Sequence, residues 1–157
     1  MTDRHLYTFV LLLCWGDTLA VAKLLLLEVR VDVAAKIKKG RTALEELAVR
    51  FSNSNDSTSV MNLLILLAPK EYVDFALQMA ATIWKPGAVK VLLDAGADPT
   101  AKNQAGRTAL EEAGLKIPAY QYDRCDRVTV MKLLASHTPG GEELIARDMH
   151  ENSLDRI

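Results

Sequence analysis

Residues 89–112 read VKVLLDAGADPTAKNQAGRTALEE, and a related stretch occurs 66 positions earlier in the chain. That stretch, residues 23–46, reads KLLLLEVRVDVAAKIKKGRTALEE, so the last seven residues are identical in the two. In each, a leucine-rich run with helical spacing precedes a polar segment with a glycine, and a threonine opens the next apolar run. Recurrence of a helix, a turn and a helix start at a fixed distance is typical of repeat proteins, whose units pack against their neighbours.

Local chemistry favours a turn followed by a helix in both matching stretches. Gly40 and Gly106 suit a tight turn with positive φ, which glycine adopts without a side-chain penalty. Thr42 and Thr108 each have a glutamate three positions later, the spacing of a capping box, and such a cap contributes on the order of 1 kcal/mol. The paired glutamates that follow lie in a first helical turn, where they favour the helix dipole. We therefore assign them to the scaffold and not to acid–base catalysis.

The joined motif resembles the ankyrin-repeat family, whose period of about 33 residues is half of the observed offset. Residues 89–102 are similar to the second helix of a repeat and the turn after it. Residues 106–111 are similar to the hairpin glycine and the next first helix. The resemblance implies an all-α solenoid that forms one domain over residues 1–157. Its four repeats lie at roughly 5–36, 37–70, 71–103 and 104–137, with 138–157 as a cap or tail.

The repeats are expected to be irregular. Long loops are predicted at 50–59, which is rich in serine and asparagine, and at 116–126, which contains Pro118. The hairpin after the second repeat is nearly absent, because residues 67–70 run almost directly into the next helix. The offset of 66 therefore combines an insertion with a deletion. The predicted helix pairs are 5–15 with 18–28, 42–50 with 58–68, 72–83 with 87–95, and 108–114 with 126–136.

Composition argues against several classes of function. The 157 residues are 50% hydrophobic and 25% charged, and a net charge of −1 gives no overall attraction to nucleic acid or to an anionic membrane. Two cysteines, Cys14 and Cys125, are too few for a disulfide framework or a structural zinc site. The sequence lacks a phosphate-binding glycine loop, a nucleophile elbow and a metalloprotease motif. We therefore expect no metal, no cofactor and no catalysis, and a cysteine-dependent enzyme is the remaining catalytic alternative.

The resemblance implies that a partner meets the hairpins and first helices. The hairpin edge is basic, which predicts a partner protein with an acidic patch, although it can equally be a solvated edge. Trp15 and Trp84 end the first helices of two repeats and are either binding residues or loop-packing residues. Two tyrosines in a predicted loop are further candidates. The candidate partner-binding residues are Trp15, Lys36, Lys38, Lys39, Arg41, Trp84, Lys102, Asn103, Gln104, Arg107, Tyr120 and Tyr122.

The sequence thus predicts a non-catalytic protein–protein interaction module that acts as an inhibitor, an adaptor or an effector. Its expected partner is another protein, and not a small molecule, a nucleic acid or a membrane. We expect a cytoplasmic protein, or one delivered into a host cell if it is an effector. A structural subunit of a larger or self-associating assembly is the alternative, since the irregular junction between the second and third repeats could mediate assembly.

Overall fold

A computed structural model describes residues 32–37, 39–115 and 121–154 of the chain. These residues form seven helices and no extended strand, which confirms the predicted all-α class. Within the described ranges, links of two to four residues join most consecutive helices, and a longer hairpin segment spans residues 95–108. The helices are α1 (Ala43–Arg50), α2 (Asn55–Leu67), α3 (Lys70–Thr82), α4 (Pro86–Asp94), α5 (Ala109–Leu115), α6 (Gln121–His137) and α7 (Gly141–Leu154).

The first six helices are arranged in two rows. Helix α3 packs between α1 and α5 in the first row, and α4 packs between α2 and α6 in the second row. Each helix of the first row also packs against the helix that follows it in the sequence. Helix α7 packs on α6, and the interpretation of the tail as a cap stays a prediction.

The first-row helices bury equivalent residues at a constant spacing of 33 positions. Leu44, Leu77 and Leu110 are all buried, and a buried alanine precedes each of them. In the second row the spacing is unequal, since Val60 and Met61 of α2 correspond to Ala88 and Val89 of α4, only 28 positions later. The chain from Leu44 to Val60 is therefore five positions longer than the chain from Leu77 to Ala88. The chain from Val60 to Leu77 is five positions shorter than the chain from Ala88 to Leu110.

Two hairpins with the same hydrogen bonds lie 66 positions apart. The Ile37 N–H donates to the Arg41 carbonyl at 2.8 Å, and the Asn103 N–H donates to the Arg107 carbonyl at 2.9 Å. The central glycines, Gly40 and Gly106, have φ values of +73° and +75°. Threonine caps follow both turns, where Thr42 Oγ1 accepts from the Glu45 N–H and Thr108 Oγ1 accepts from the Glu111 N–H, each at 3.3 Å.

Midway in sequence between the two matching hairpins, a helical extension takes the place of a third hairpin. By the spacing of 33, Phe75 is equivalent to Thr42 and Thr108, so a first-row helix would begin at Ala76. Helix α3 instead begins at Lys70, six residues earlier, which adds about 9 Å of helix. Val73 is buried in this extension, and its packing explains why the segment is helical without a side-chain cap at Pro69.

The predicted loop at 50–59 is wrong. Helix α2 begins at Asn55, and only residues 51–54 link it to α1. The Ser54 hydroxyl caps the helix by accepting from the Ser57 N–H at 3.2 Å, so the Ser/Asn-rich stretch is the first turn of a helix. The second long loop is also shorter than predicted, because α6 begins at Gln121. The predicted direct junction at residues 67–70 is confirmed, since α2 ends at Leu67 and α3 begins at Lys70.

Candidate functional site

Helix α3 has an exposed face that contains large apolar side chains. Phe75 lies opposite the buried residues of this helix, and its side chain is 45% exposed. Met79 is one turn further along on the same face, and it is half-buried. Glu71 and Thr82 extend the same stripe at either end. An exposed aromatic residue beside a methionine in the middle of a helical row is typical of an interaction surface.

Two arginine–glutamate pairs flank this apolar stripe. The positions 33 residues before and after Met79 are Glu46 on α1 and Glu112 on α5. Because α3 packs between α1 and α5, these glutamates lie on either side of the stripe. Arg41 NH1 is 3.4 Å from a Glu46 carboxylate oxygen, and Arg107 NH1 is 3.3 Å from a Glu112 carboxylate oxygen.

The pair on α1 is the more buried of the two. Glu46 is only 3% exposed, and it is also 2.8 Å from Nε of Arg50, one turn later on the helix. A buried carboxylate requires compensating donors, and the two guanidinium groups supply them. On α5 the Asn103 amide donates to Glu112 at 2.7 Å in addition to the arginine contact. We define the α3 platform as Phe75 and Met79 together with Arg41 and Arg107 at its sides.

The structure describes most of the predicted hairpin residues. Lys36 and Lys39 are exposed on the first hairpin, as are Lys102, Gln104 and Arg107 on the second. Arg41 is half-buried, and Lys38 lies outside the described residues.

Asn103 has a structural role in the second hairpin. Its side-chain oxygen accepts from the Ala105 N–H at 2.9 Å and from the Arg107 N–H at 3.0 Å. Its amide nitrogen is the donor to Glu112. All of these contacts are internal, so they hold the turn in shape and orient Glu112.

Trp84 packs against the core and lies two residues beyond the end of α3 at Thr82, so the prediction that it ends this helix is wrong. It is partly buried, and its indole N–H donates to the Ala113 carbonyl at 3.2 Å. Its φ of +53° is unusual for a bulky residue, so packing and this hydrogen bond offset backbone strain. Trp84 therefore packs against the end of α5 and not against a loop, and its role in partner binding stays a prediction. Trp15 and Tyr120 lie outside the described residues, and Tyr122 belongs to α6 and not to a loop.

No group of three or more histidine, cysteine, aspartate or glutamate residues within the described part of the chain could hold a metal ion. Asp98 has a pKa below its usual value, because the Thr100 hydroxyl and N–H both donate to its carboxylate and Lys70 lies nearby. These contacts lie within the turn that follows α4. Cys14 and the side chain of Cys125 lie outside the description.

The sequence interpretation missed the two central residues of the α3 platform. Phe75 and Met79 were within a predicted helix, but nothing in their local pattern distinguishes them from core residues. The signal that could have found them is the spacing of 33 positions. It aligns Phe75 with the threonines Thr42 and Thr108, and it aligns Met79 with Glu46 and Glu112.

A search against protein-family models finds no match, and neither does a comparison with curated protein sequences. Within the described ranges, no helix is long and apolar enough to cross a membrane.

Proposed function

We propose that this chain is a non-catalytic protein-binding module with an ankyrin-type arrangement of helix pairs, and that it binds its partner through the hairpins and the first-helix row. The architecture is supported by the two rows of helices, the spacing of 33 among buried first-row residues and the matching hairpins. Such a row presents a continuous surface that several repeats build together.

The observation that carries the binding proposal is the α3 platform. Phe75 and Met79 form an apolar centre, and arginines lie on both sides of it. Interfaces between proteins commonly have this composition, with aromatic, methionine and arginine residues enriched and a polar rim around the centre.

Affinity purification from the source organism, followed by mass spectrometry, tests this function. We expect the unchanged chain to retain a partner protein that a Phe75→Ser/Met79→Ser variant loses. A matched control is Lys90→Ala/Lys132→Ala, which changes exposed residues of the second row. Loss of the partner from the control variant alone would place the interface on the other side of the molecule and contradict the proposal.

Self-association is the second candidate function, and the junction between α2 and α3 favours it. Leu66 is 81% exposed and Leu67 is 40% exposed at the point where a hairpin is missing. A second copy of the chain would cover such residues. Light scattering at high protein concentration tests this candidate, which requires an oligomer that a Leu66→Ser/Leu67→Ser variant does not form.

A further inference from the structure

We infer that the α3 platform binds an extended segment of the partner in which one bulky apolar side chain lies between two carboxylates. The apolar side chain packs on Phe75 and Met79, and the carboxylates pair with Arg41 and Arg107. This inference rests on the proposed function, and it specifies the chemistry of the partner.

The two arginines have capacity for a further anion. Each is held to its glutamate through a single contact of 3.3 to 3.4 Å, which is long for a charged pair. A guanidinium group carries five N–H donors, and a well-formed pair with a carboxylate uses two of them. The side chain of Arg41 is 33% exposed and that of Arg107 is 47% exposed, so an incoming carboxylate reaches both.

The spacing of the helices determines the spacing of the carboxylates. Packed helices lie about 8 to 10 Å apart, so α1 and α5 each lie about that far from α3. An extended chain advances about 3.3 Å per residue. A segment that crosses the row therefore carries its acidic residues about three positions before and about three positions after the apolar residue.

Neighbouring charges disfavour other arrangements. Glu71 is exposed one turn before Phe75, so an acidic residue directly over α3 would meet a like charge. Asp74 is turned away from the platform, since its carboxylate accepts from the Asp98 N–H at 2.8 Å. Basic flanks on the partner would face the two arginines and be repelled. Together, these charges favour a partner segment with an apolar centre and acidic flanks.

Selection from a displayed library of random 12-residue peptides on the full chain tests the inference. We expect the enriched peptides to contain Phe, Leu, Ile, Met or Trp with Asp or Glu about three positions away on both sides. A synthetic peptide of that pattern should bind the Phe75→Ser variant at least tenfold more weakly, and the Arg41→Gln/Arg107→Gln variant likewise. Leu144→Ser, which changes an exposed apolar residue on α7, should bind it unchanged.

Thermal unfolding of each variant verifies that the loss of binding occurs in a folded protein. Peptides that lack the two acidic positions, or that bind the arginine variant as tightly as the unchanged chain, overturn the inference. A library that yields no enriched peptide also overturns it. Partner capture tests the proposed function separately. A partner that is lost with Phe75→Ser/Met79→Ser but kept with Arg41→Gln/Arg107→Gln would support the binding module. The same result would reject the acidic segment as its ligand.

Discussion

The indole nitrogen of Trp84 donates a hydrogen bond to the carbonyl oxygen of Ala113, 3.2 Å away and 29 positions later in the chain. Trp84 follows the end of α3, and Ala113 is near the end of α5. The last carbonyl groups of a helix have no partner within it, so this contact satisfies one of them from the segment that follows α3. One side chain thus ties together the ends of two first-row helices.

Replacement of Trp84 by phenylalanine should separate the hydrogen bond from the packing. Phe retains most of the apolar contact but cannot donate to Ala113, so we expect the free energy of unfolding to fall by about 1 kcal/mol. Trp84→Ala should cost about 2 to 4 kcal/mol, because the packing is lost as well. Urea unfolding followed by circular dichroism measures both values. Equal losses for the two variants would contradict the role of packing.

Arg127 contacts the same end of α5. Its Nε is 3.3 Å from the Ala113 carbonyl and its NH2 is 3.0 Å from the Gly114 carbonyl. Arg127→Leu should lower the free energy of unfolding by about 1 to 3 kcal/mol, because two helix-end carbonyls lose a charged donor. Arg127→Lys, which keeps the positive charge near the helix end, should recover part of this loss. Hydrogen exchange should show faster opening of α5 in the leucine variant.

Sequence reasoning predicted the features that local chemistry determines. The hairpins around Gly40 and Gly106 and their threonine caps depend on residues a few positions apart, and the structure contains them. The extension of α3 could not be predicted in this way. Its helix start at Lys70 follows Pro69 without a side-chain cap and depends on the burial of Val73 against other helices.

In the candidate site, too, the sequence predicts some features and leaves others to the packing of helices. The basic hairpin residues were visible as a cluster in the sequence, but their pairing was not. Arg41 reaches a glutamate five positions later, beyond the usual helical pairs, because the turn folds it back over α1. The role of Arg127 depends on the packing of α6 against α5, which no local pattern encodes.

Gly87 at the start of α4 leaves no room for a side chain. A Cβ atom there would contact the Asn53 side chain and approach Cε1 of Phe51 to 2.8 Å. Gly87→Ala should therefore lower the free energy of unfolding by about 1 to 3 kcal/mol, although alanine is the better helix former. The Asn53→Ala/Gly87→Ala double variant should lose less than the sum of the single changes, because one of the two clashes is removed. Additive losses in thermal unfolding would argue against this contact.

Asp98 should make stability depend on acid pH. Because donation from Thr100 lowers its pKa in the folded chain, the stabilisation is present above the unfolded value near 3.9. This stabilisation is lost as the pH falls through the lower pKa that Asp98 has in the folded chain. We expect Thr100→Val to lower the free energy of unfolding more than Thr82→Val does at pH 7. Below about pH 4, the free energy of unfolding of Thr100→Val should fall less steeply with pH than that of the unchanged chain. Thr82 is a suitable control because it donates to the Gln78 carbonyl and not to a carboxylate.

Asn103 should stabilise the second hairpin more than its exposed neighbours do. Its side-chain oxygen accepts from two backbone N–H groups in the turn, and its nitrogen donates to Glu112. Asn103→Ala removes all three contacts, so we expect a loss of about 1 to 3 kcal/mol and faster hydrogen exchange at Ala105 and Arg107.

Asn103→Asp provides the sharper test of this arrangement. An aspartate still accepts from the two N–H groups, but its second oxygen would stand close to the Glu112 carboxylate in place of a donor. The variant should therefore be destabilised by repulsion between the two carboxylates, and the Asn103→Asp/Glu112→Gln double variant should recover part of this loss in thermal unfolding. Lys102→Ala, which changes the exposed neighbour, should unfold like the unchanged chain. A loss of stability in Asn103→Asp that Glu112→Gln does not reduce would show that Glu112 is not its partner.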